Sequence, residues 1–206
     1  MDVKIARFDI VGIAPLSYSK VILTPKDRGE TSGKHEDRCW RERLHVDGEG
    51  FVFLPAMALK KQGEAAGKAL AETIPGKGKK TYTAEFKTGT MVMDNLRIMV
   101  PDGKGKWGPI KSDDVEGVRV FVPADGKPGG GSRVWTIFPT IAQWRTNGVV
   151  HIMSKVLCDE PEKVHEYAIY AGQFLGMGSF AARVGGLNGR YLVENWTIED
   201  FVAVAA

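Results

Sequence analysis

The chain opens with alternation: Val3-Lys4-Ile5-Ala6-Arg7-Phe8-Asp9-Ile10-Val11-Gly12-Ile13 places apolar and polar side chains in turn. That period suits a strand with one face buried. Pro15 ends it, and the polar run from Ser17 to Trp40 predicts a long loop. A short apolar strand follows, Phe51 to Leu54, running straight into Pro55, a residue favoured in the first turn of a helix. Leu59, Gly63, Ala66 and Leu70 then recur at helical spacing, so a helix is expected over Ala56–Glu72, stopping at Pro75-Gly76. Strand patterns return at Thr81–Phe86, Thr90–Val100, Val118–Val122, Val134–Phe138 and Val149–Leu157. Glycine-rich turns centred on Gly103–Gly108 and Gly126–Gly131 interrupt them. Asp159 and Glu162 have capping-box spacing, with Pro161 between them. Val164, Ala168, Ala171 and Leu175 line one face of the helix they introduce, and Gly176 is its expected stop. Arg190–Trp196 reads as a last strand.

Without its insertions the order is strand, helix, strand, strand, helix, strand. This is the ferredoxin-like β-α-β-β-α-β arrangement, an α+β fold also used by RNA-recognition modules. We expect one domain over residues 1–206, with insertions around 14–50, 73–82 and 101–133. The fold alone hosts too many functions to name one.

Composition adds little until it is mapped. The chain has 206 residues, 43% of them hydrophobic, and a net charge of +3, ordinary values for a folded globular protein. No apolar run approaches a membrane span, and the N-terminal strand pattern is unlike a signal peptide. Cys39 and Cys158 match no metal spacing and no disulfide framework, so a cytoplasmic protein without metal or cofactor is expected. Between Lys20 and Lys80, however, Lys and Arg outnumber Asp and Glu, and they concentrate in the predicted loops. A one-sided basic surface suits a polyanion, because each phosphate contact releases counterions; a solvated lysine-rich surface is the plainer alternative.

Two segments could carry chemistry. The first is Gly172-Gln173-Phe174-Leu175-Gly176-Met177-Gly178-Ser179-Phe180 and its continuation to Tyr191. Glycines clustered after a helix allow close backbone approach and expose N–H groups to phosphate, with Arg183 and Arg190 nearby. It is no dinucleotide fingerprint, since it ends a helix instead of opening one after a strand. The second is Phe53-Leu54-Pro55-Ala56-Met57-Ala58-Leu59-Lys60, a strand-to-helix turn with a lysine in the early helix.

The order of these pieces resembles the RAMP superfamily, and within it the repeated backbone subunit of CRISPR effector complexes. The matching stretches are Phe8–Ser19, Phe53–Lys60 and Gly176–Arg190. Ala56-Met57-Ala58 departs from the small polar run usual after the proline, and Lys61 stands where a glycine is common. The resemblance implies a non-catalytic subunit that polymerises along guide RNA, contacts other effector subunits, and inserts a hairpin to interrupt base pairing. Backbone contact without base reading fits a guide of any sequence. The Lys77–Lys80 turn and the Trp107 loop are the candidate hairpins.

The residues expected on the nucleic acid are therefore Lys20, Lys26, Arg28, Lys34, Arg38, Arg41, Lys60, Lys61, Lys77, Lys79, Lys80, Trp107, Gly176, Gly178, Arg183 and Arg190. Of the tryptophans, Trp107 is the one expected to be exposed, whereas Trp135, Trp144 and Trp196 suit the core equally well. Two other readings stay open. One is a phage or plasmid single-stranded-DNA-binding protein, or a decoy of the backbone subunit. The other is a metal-independent ribonuclease using Asp27, Asp37 or His35, which lie in the loop where some members of that family cut RNA.

Overall fold

The computed structural model describes residues 3–124 and 131–201, so most of the second glycine-rich turn lies outside the described residues. Strand β1 (Lys4–Gly12) leads through β2 (Leu16–Ser17) to a loop containing α1 (Ser32–Cys39). Strand β3 (Phe53–Leu54) enters α2 (Ala56–Leu70), and α3 (Tyr82–Thr88) follows. Next come β4 (Thr90–Met91), β5 (Leu96–Arg97), β6 (Met99–Pro101) and β7 (Trp107–Pro109). The long strands β8 (Glu116–Pro123), β9 (Arg133–Ile141) and β10 (Arg145–Ile152) precede α4 (Lys155–Asp159) and α5 (Glu162–Tyr170). A single π-turn, Ala171–Leu175, extends α5 before β11 (Tyr191–Asp200) closes the chain.

The main sheet runs β11-β1-β10-β6-β7, with β4 also pairing β10, and every pairing is antiparallel. In terms of the core pieces this is the order fourth, first, third, second. It is the ferredoxin-like order expected from the sequence, with α2 and α5 as its two helices. Ala6, Phe8 and Ile10 of β1 point toward those helices and join Leu59, Ala66, Val164 and Tyr167 in the core. A second sheet, β2-β9-β8, and the small β3-β5 pair stand apart from this main sheet.

Several local expectations change. Thr81–Phe86 is helical, not extended: Tyr82 and Phe86, four residues apart, are both buried on one face of α3. That face packs on Gly63 and Gly67 of α2, where an added Cβ would come within 3.4 Å of the Phe86 ring and 3.3 Å of the Thr83 Cα. The β-rich composition of the segment yields to this tertiary contact. Helix α2 ends at Leu70, where Ala71 turns left-handed, well before Pro75. Strand β10 stops at Ile152, and Ser154 caps α4 by accepting from the Leu157 N–H. Asp159 therefore closes α4, and α5 begins at Glu162 with no side-chain cap. Gly176 does end the second core helix, with φ of 66°. The Ser17–Trp40 loop holds β2 and α1, the latter capped by Thr31. Trp144 is fully buried, donating from Nε1 to the Ala14 carbonyl at 2.9 Å. Trp135 is 56% exposed against 37% for Trp107, so Trp107 is not the only exposed tryptophan.

Candidate nucleic-acid interface

The three chain segments singled out in the sequence meet at one place. After β2 the backbone runs through Tyr18, Ser19 and Lys20; α2 presents Met57, Ala58, Lys61 and Gln62; the glycine-rich segment adds Met177, Gly178 and Arg183. Between them lies an open cleft of about 630 Å³, a volume suited to a nucleotide-sized ligand. His45, Leu54 and Pro55 also line it.

Backbone hydrogen bonds fix this convergence. Ser179 N–H donates to the Ser17 carbonyl at 2.9 Å, Gly189 N–H to Pro15 at 2.7 Å, and Met177 N–H to Gly189 at 2.9 Å. Gly178 has φ of 76°, and a Cβ there would sit 2.3 Å from the Ser17 carbonyl oxygen. Only glycine lets the two segments approach so closely. The Gly176 carbonyl accepts twice, from Gln62 Nε2 at 2.8 Å and from Arg183 Nη1 at 2.6 Å. Across the cleft, α2 starts without a side-chain cap from Pro55; the Asn95 side chain instead accepts from the Ala56 N–H at 3.1 Å.

The cleft has a charged rim and a neutral floor. Lys20, Lys61 and Arg183 are exposed and cationic. Lys61 is also paired with Glu64 at 2.6 Å, a surface pairing of small worth that leaves its side chain accessible. Below them sit Tyr18, His45, Leu54, Ala58 and Met177. Burial, with the Lys20 charge as the lesser cause, lowers the His45 pKa from its ordinary 6.5 and keeps the ring neutral. Burial also pushes the Tyr18 phenol far above its usual value.

The expected site residues divide accordingly. Lys20, Lys61, Gly178 and Arg183 line the cleft, and Gly176 positions it. Lys60 does not belong there. Its Nζ turns inward and donates to the carbonyls of Phe86 and Lys87 at 2.5 and 2.9 Å and to Thr90 Oγ1 at 3.1 Å, closing the C-terminal end of α3. Lys77, Lys79 and Lys80 are exposed in the turn beyond α2, about 20 Å along the helix from its cleft end. Lys26 donates to Ser32, and Arg38 pairs with Glu30 at 2.8 Å and Asp27 at 3.4 Å. The Arg38 hydrogen bond, helped by the Asp27 N–H, holds Glu30 down at about 2. Arg28 and Lys34 are exposed on the same excursion. Arg41 stacks on Trp40 and reaches the Asp113 carbonyl. Arg190 donates to the Leu187 carbonyl, outside the cleft lining.

Trp107 sits elsewhere, beneath the Arg145 guanidinium at 5.3 Å, beside a shallow hollow shared with Asp9 and Asn147. The surrounding open face of the main sheet is laced by polar pairs: Arg7 with Glu199, Asp9 with Asn147 and Asn195, Arg145 with Glu194. Among the described residues it has no central row of exposed aromatics of the kind an RNA-recognition sheet uses for stacking. The three residues of the cleavage reading are occupied and none lines the cleft: Asp27 with Arg38, Asp37 with Arg119, and His35 Nε2 with the Thr24 carbonyl. No group of three or more His, Cys, Asp or Glu residues could hold a metal among the described residues. No described helix is long and apolar enough to cross a membrane.

Sequence reasoning missed His45 and Gln62; Tyr18, beside Lys20, suits base stacking by its sequence context, but it lies buried in the cleft floor. A signal for Gln62 was present: it shares the buried face of Leu59 and Ala66, where a lone polar member implies a specific partner. The two strands of the β8–β9 ribbon were legible, but not that Phe121 and Trp135 face each other across them, both exposed, with ring centroids 5.1 Å apart.

No family model matches the chain, and no curated protein matches it in sequence. Among solved structures it is similar to a chain of the Type III-B Cmr-beta complex bound to cognate target RNA, determined by cryo-electron microscopy. That likeness has 11% identity and a TM-score of 0.49, over 97% of this chain and 61% of the other. It is also similar to Cmr6 from Pyrococcus furiosus, with 12% identity and a TM-score of 0.47 over 93% and 99% of the two chains. This chain thus spans about three fifths of the first of these neighbours. At such identities and scores neither likeness bears on what this chain binds; its own strand order makes the core ferredoxin-like.

Proposed function

We propose that the chain is an RNA-binding subunit of a CRISPR-type effector ribonucleoprotein, gripping the sugar-phosphate backbone of a single strand in the cleft between β2, α2 and the glycine-rich segment. One observation carries this. The three stretches on which the sequence resembles the RAMP backbone subunit lie far apart in the chain, yet they converge on one cleft rimmed by Lys20, Lys61 and Arg183. The role is non-catalytic, a coat that repeats along guide RNA through copies of itself. The β8–β9 ribbon, with Phe121 and Trp135 on its surface, is a better candidate for the projecting hairpin than the Lys77–Lys80 turn or the Trp107 loop, because stacked bases need exposed aromatic faces.

The test is binding of a labelled single-stranded RNA against salt concentration, for the native chain and for Lys20→Ala/Lys61→Ala/Arg183→Ala. Each phosphate that is no longer neutralised should lower the slope of log affinity against log salt by about 0.7. The expected result is a slope reduced by about 2, with affinity weakened across all sequences. An unchanged slope places the strand elsewhere. Tight binding of partner subunits without any nucleic acid would favour the decoy reading instead.

A further inference from the structure

Tyr18 is 4% exposed, its ring belongs to the hydrophobic core, and it lines the cleft floor. Its hydroxyl is buried and has no hydrogen-bond partner among the described residues. Buried hydroxyls are rarely left so, because desolvation without a replacement bond is costly. The groups around it are neutral. His45 lies 6.4 Å away ring to ring, Phe53 stands 5.7 Å beyond that, and Leu54 and Met177 complete the floor. A phosphate gains more at the cationic rim, where Lys20, Lys61 and Arg183 remain in water, than on an apolar floor that strips its hydration. The part of a nucleotide suited to the floor is uncharged. Of the two buried polar atoms in the lining that have no hydrogen-bond partner among the described residues, Gln62 Oε1 can only accept, whereas the Tyr18 phenol can either donate or accept. A ribose 2′-hydroxyl does both, and deoxyribose has none.

Resting on the cleft being the nucleic-acid site, we propose that the Tyr18 hydroxyl bonds a ribose 2′-hydroxyl of the strand seated there and thereby makes the protein prefer RNA over DNA of the same sequence. The contact is to sugar, so it is indifferent to the base. It also separates two functions within one cleft: the rim holds either polymer, and the floor selects between them.

The experiment measures affinities for oligo-rU, oligo-dU, oligo-rA and oligo-dA, for the native chain, Tyr18→Phe and Lys61→Ala. The native chain should bind each RNA about tenfold tighter than its DNA counterpart, the factor expected from one satisfied hydroxyl. Tyr18→Phe should lose that factor on both RNAs and keep its DNA affinity within about twofold, whereas Lys61→Ala should weaken RNA and DNA alike. An equal loss on RNA and DNA, a loss confined to one base, or no loss overturns the proposal. If the native chain binds neither polymer, the cleft reading itself fails; if it binds both equally, only the role of Tyr18 does. Tyr18→Phe breaks no bond seen in the structure and keeps the ring, so its melting temperature should equal or exceed the native one. A fall would reveal a protein partner for the hydroxyl and would likewise overturn the proposal.

Discussion

Replacing Gly178 by alanine tests whether the glycine-rich segment is fixed to β2 or merely lies beside it. Gly178 has φ of 76°, and a left-handed backbone costs an alanine about 1–2 kcal/mol. The added Cβ would stand 2.3 Å from the Ser17 carbonyl oxygen and 3.3 Å from Leu16 Cδ1. The nearest atom is backbone, so relief requires the segment to withdraw from β2. Withdrawal breaks the Ser179-to-Ser17 hydrogen bond, worth about 1 kcal/mol. The sum is about 2–3 kcal/mol, or roughly 4–12 °C in Tm for a chain of this size. Gly185 is the matched control: its φ is 85°, but nothing lies within 4 Å of a Cβ there, so Gly185→Ala should cost only about 1–2 kcal/mol. Gly48, with ordinary φ and open space, should change stability by less than about 0.5 kcal/mol. Urea denaturation of the three variants, read by tryptophan fluorescence, ranks them directly. If Gly178→Ala is no more destabilising than Gly185→Ala, the contact with Ser17 does not hold the cleft together.

Two further predictions concern groups around the cleft-bearing loop. Glu36 is buried, bonds the Arg43 guanidinium at 3.0 and 3.1 Å, and accepts from the Ile137 N–H at 2.7 Å, joining α1 to β9. Glu36→Ala strands a mostly buried cation and should cost about 3–5 kcal/mol by chemical denaturation; a change below about 1 kcal/mol would refute that role. His45 has its folded pKa below the ordinary 6.5, so the unfolded chain takes up the proton first as the pH falls through that value. Stability should therefore drop on acidification below about pH 6.5, and His45→Gln should show a shallower drop over the same range. Equal slopes for the two proteins would mean that His45 is not held neutral.

Much of the frame was legible because it rests on long periodic segments. Alternation in Val3–Gly12 and the 3.6-residue spacing from Leu59 to Leu70 announced β1 and α2, and the order of the pieces gave the ferredoxin-like sheet. What failed was local chemistry overruled by tertiary contact. The Thr- and Tyr-rich Thr81–Phe86 stretch forms a helix because Gly63 and Gly67 open a groove for Phe86, which no local pattern records. The glycines at 176 and 178 and the cations Lys20, Lys61 and Arg183 were visible as residue types. Lys60 and Lys61 were indistinguishable in sequence, although one closes a helix end and the other faces the cleft. Tyr18 and His45 were invisible as a floor because they come together only when the chain returns after α1.

The Gly176 carbonyl, accepting at once from Gln62 and Arg183, ties two residues of the cleft lining to one group. Gln62 is anchored on α2, Arg183 stands on the rim, and both are referred to a single peptide plane at the end of the second core helix. The opening between α2 and the glycine-rich segment is thus tied to the protein's own backbone. A preorganised slot of this kind spends little free energy on ordering itself when filled. On the function proposed above, such a slot would offer each nucleotide the same fixed dimensions, as a ruler does.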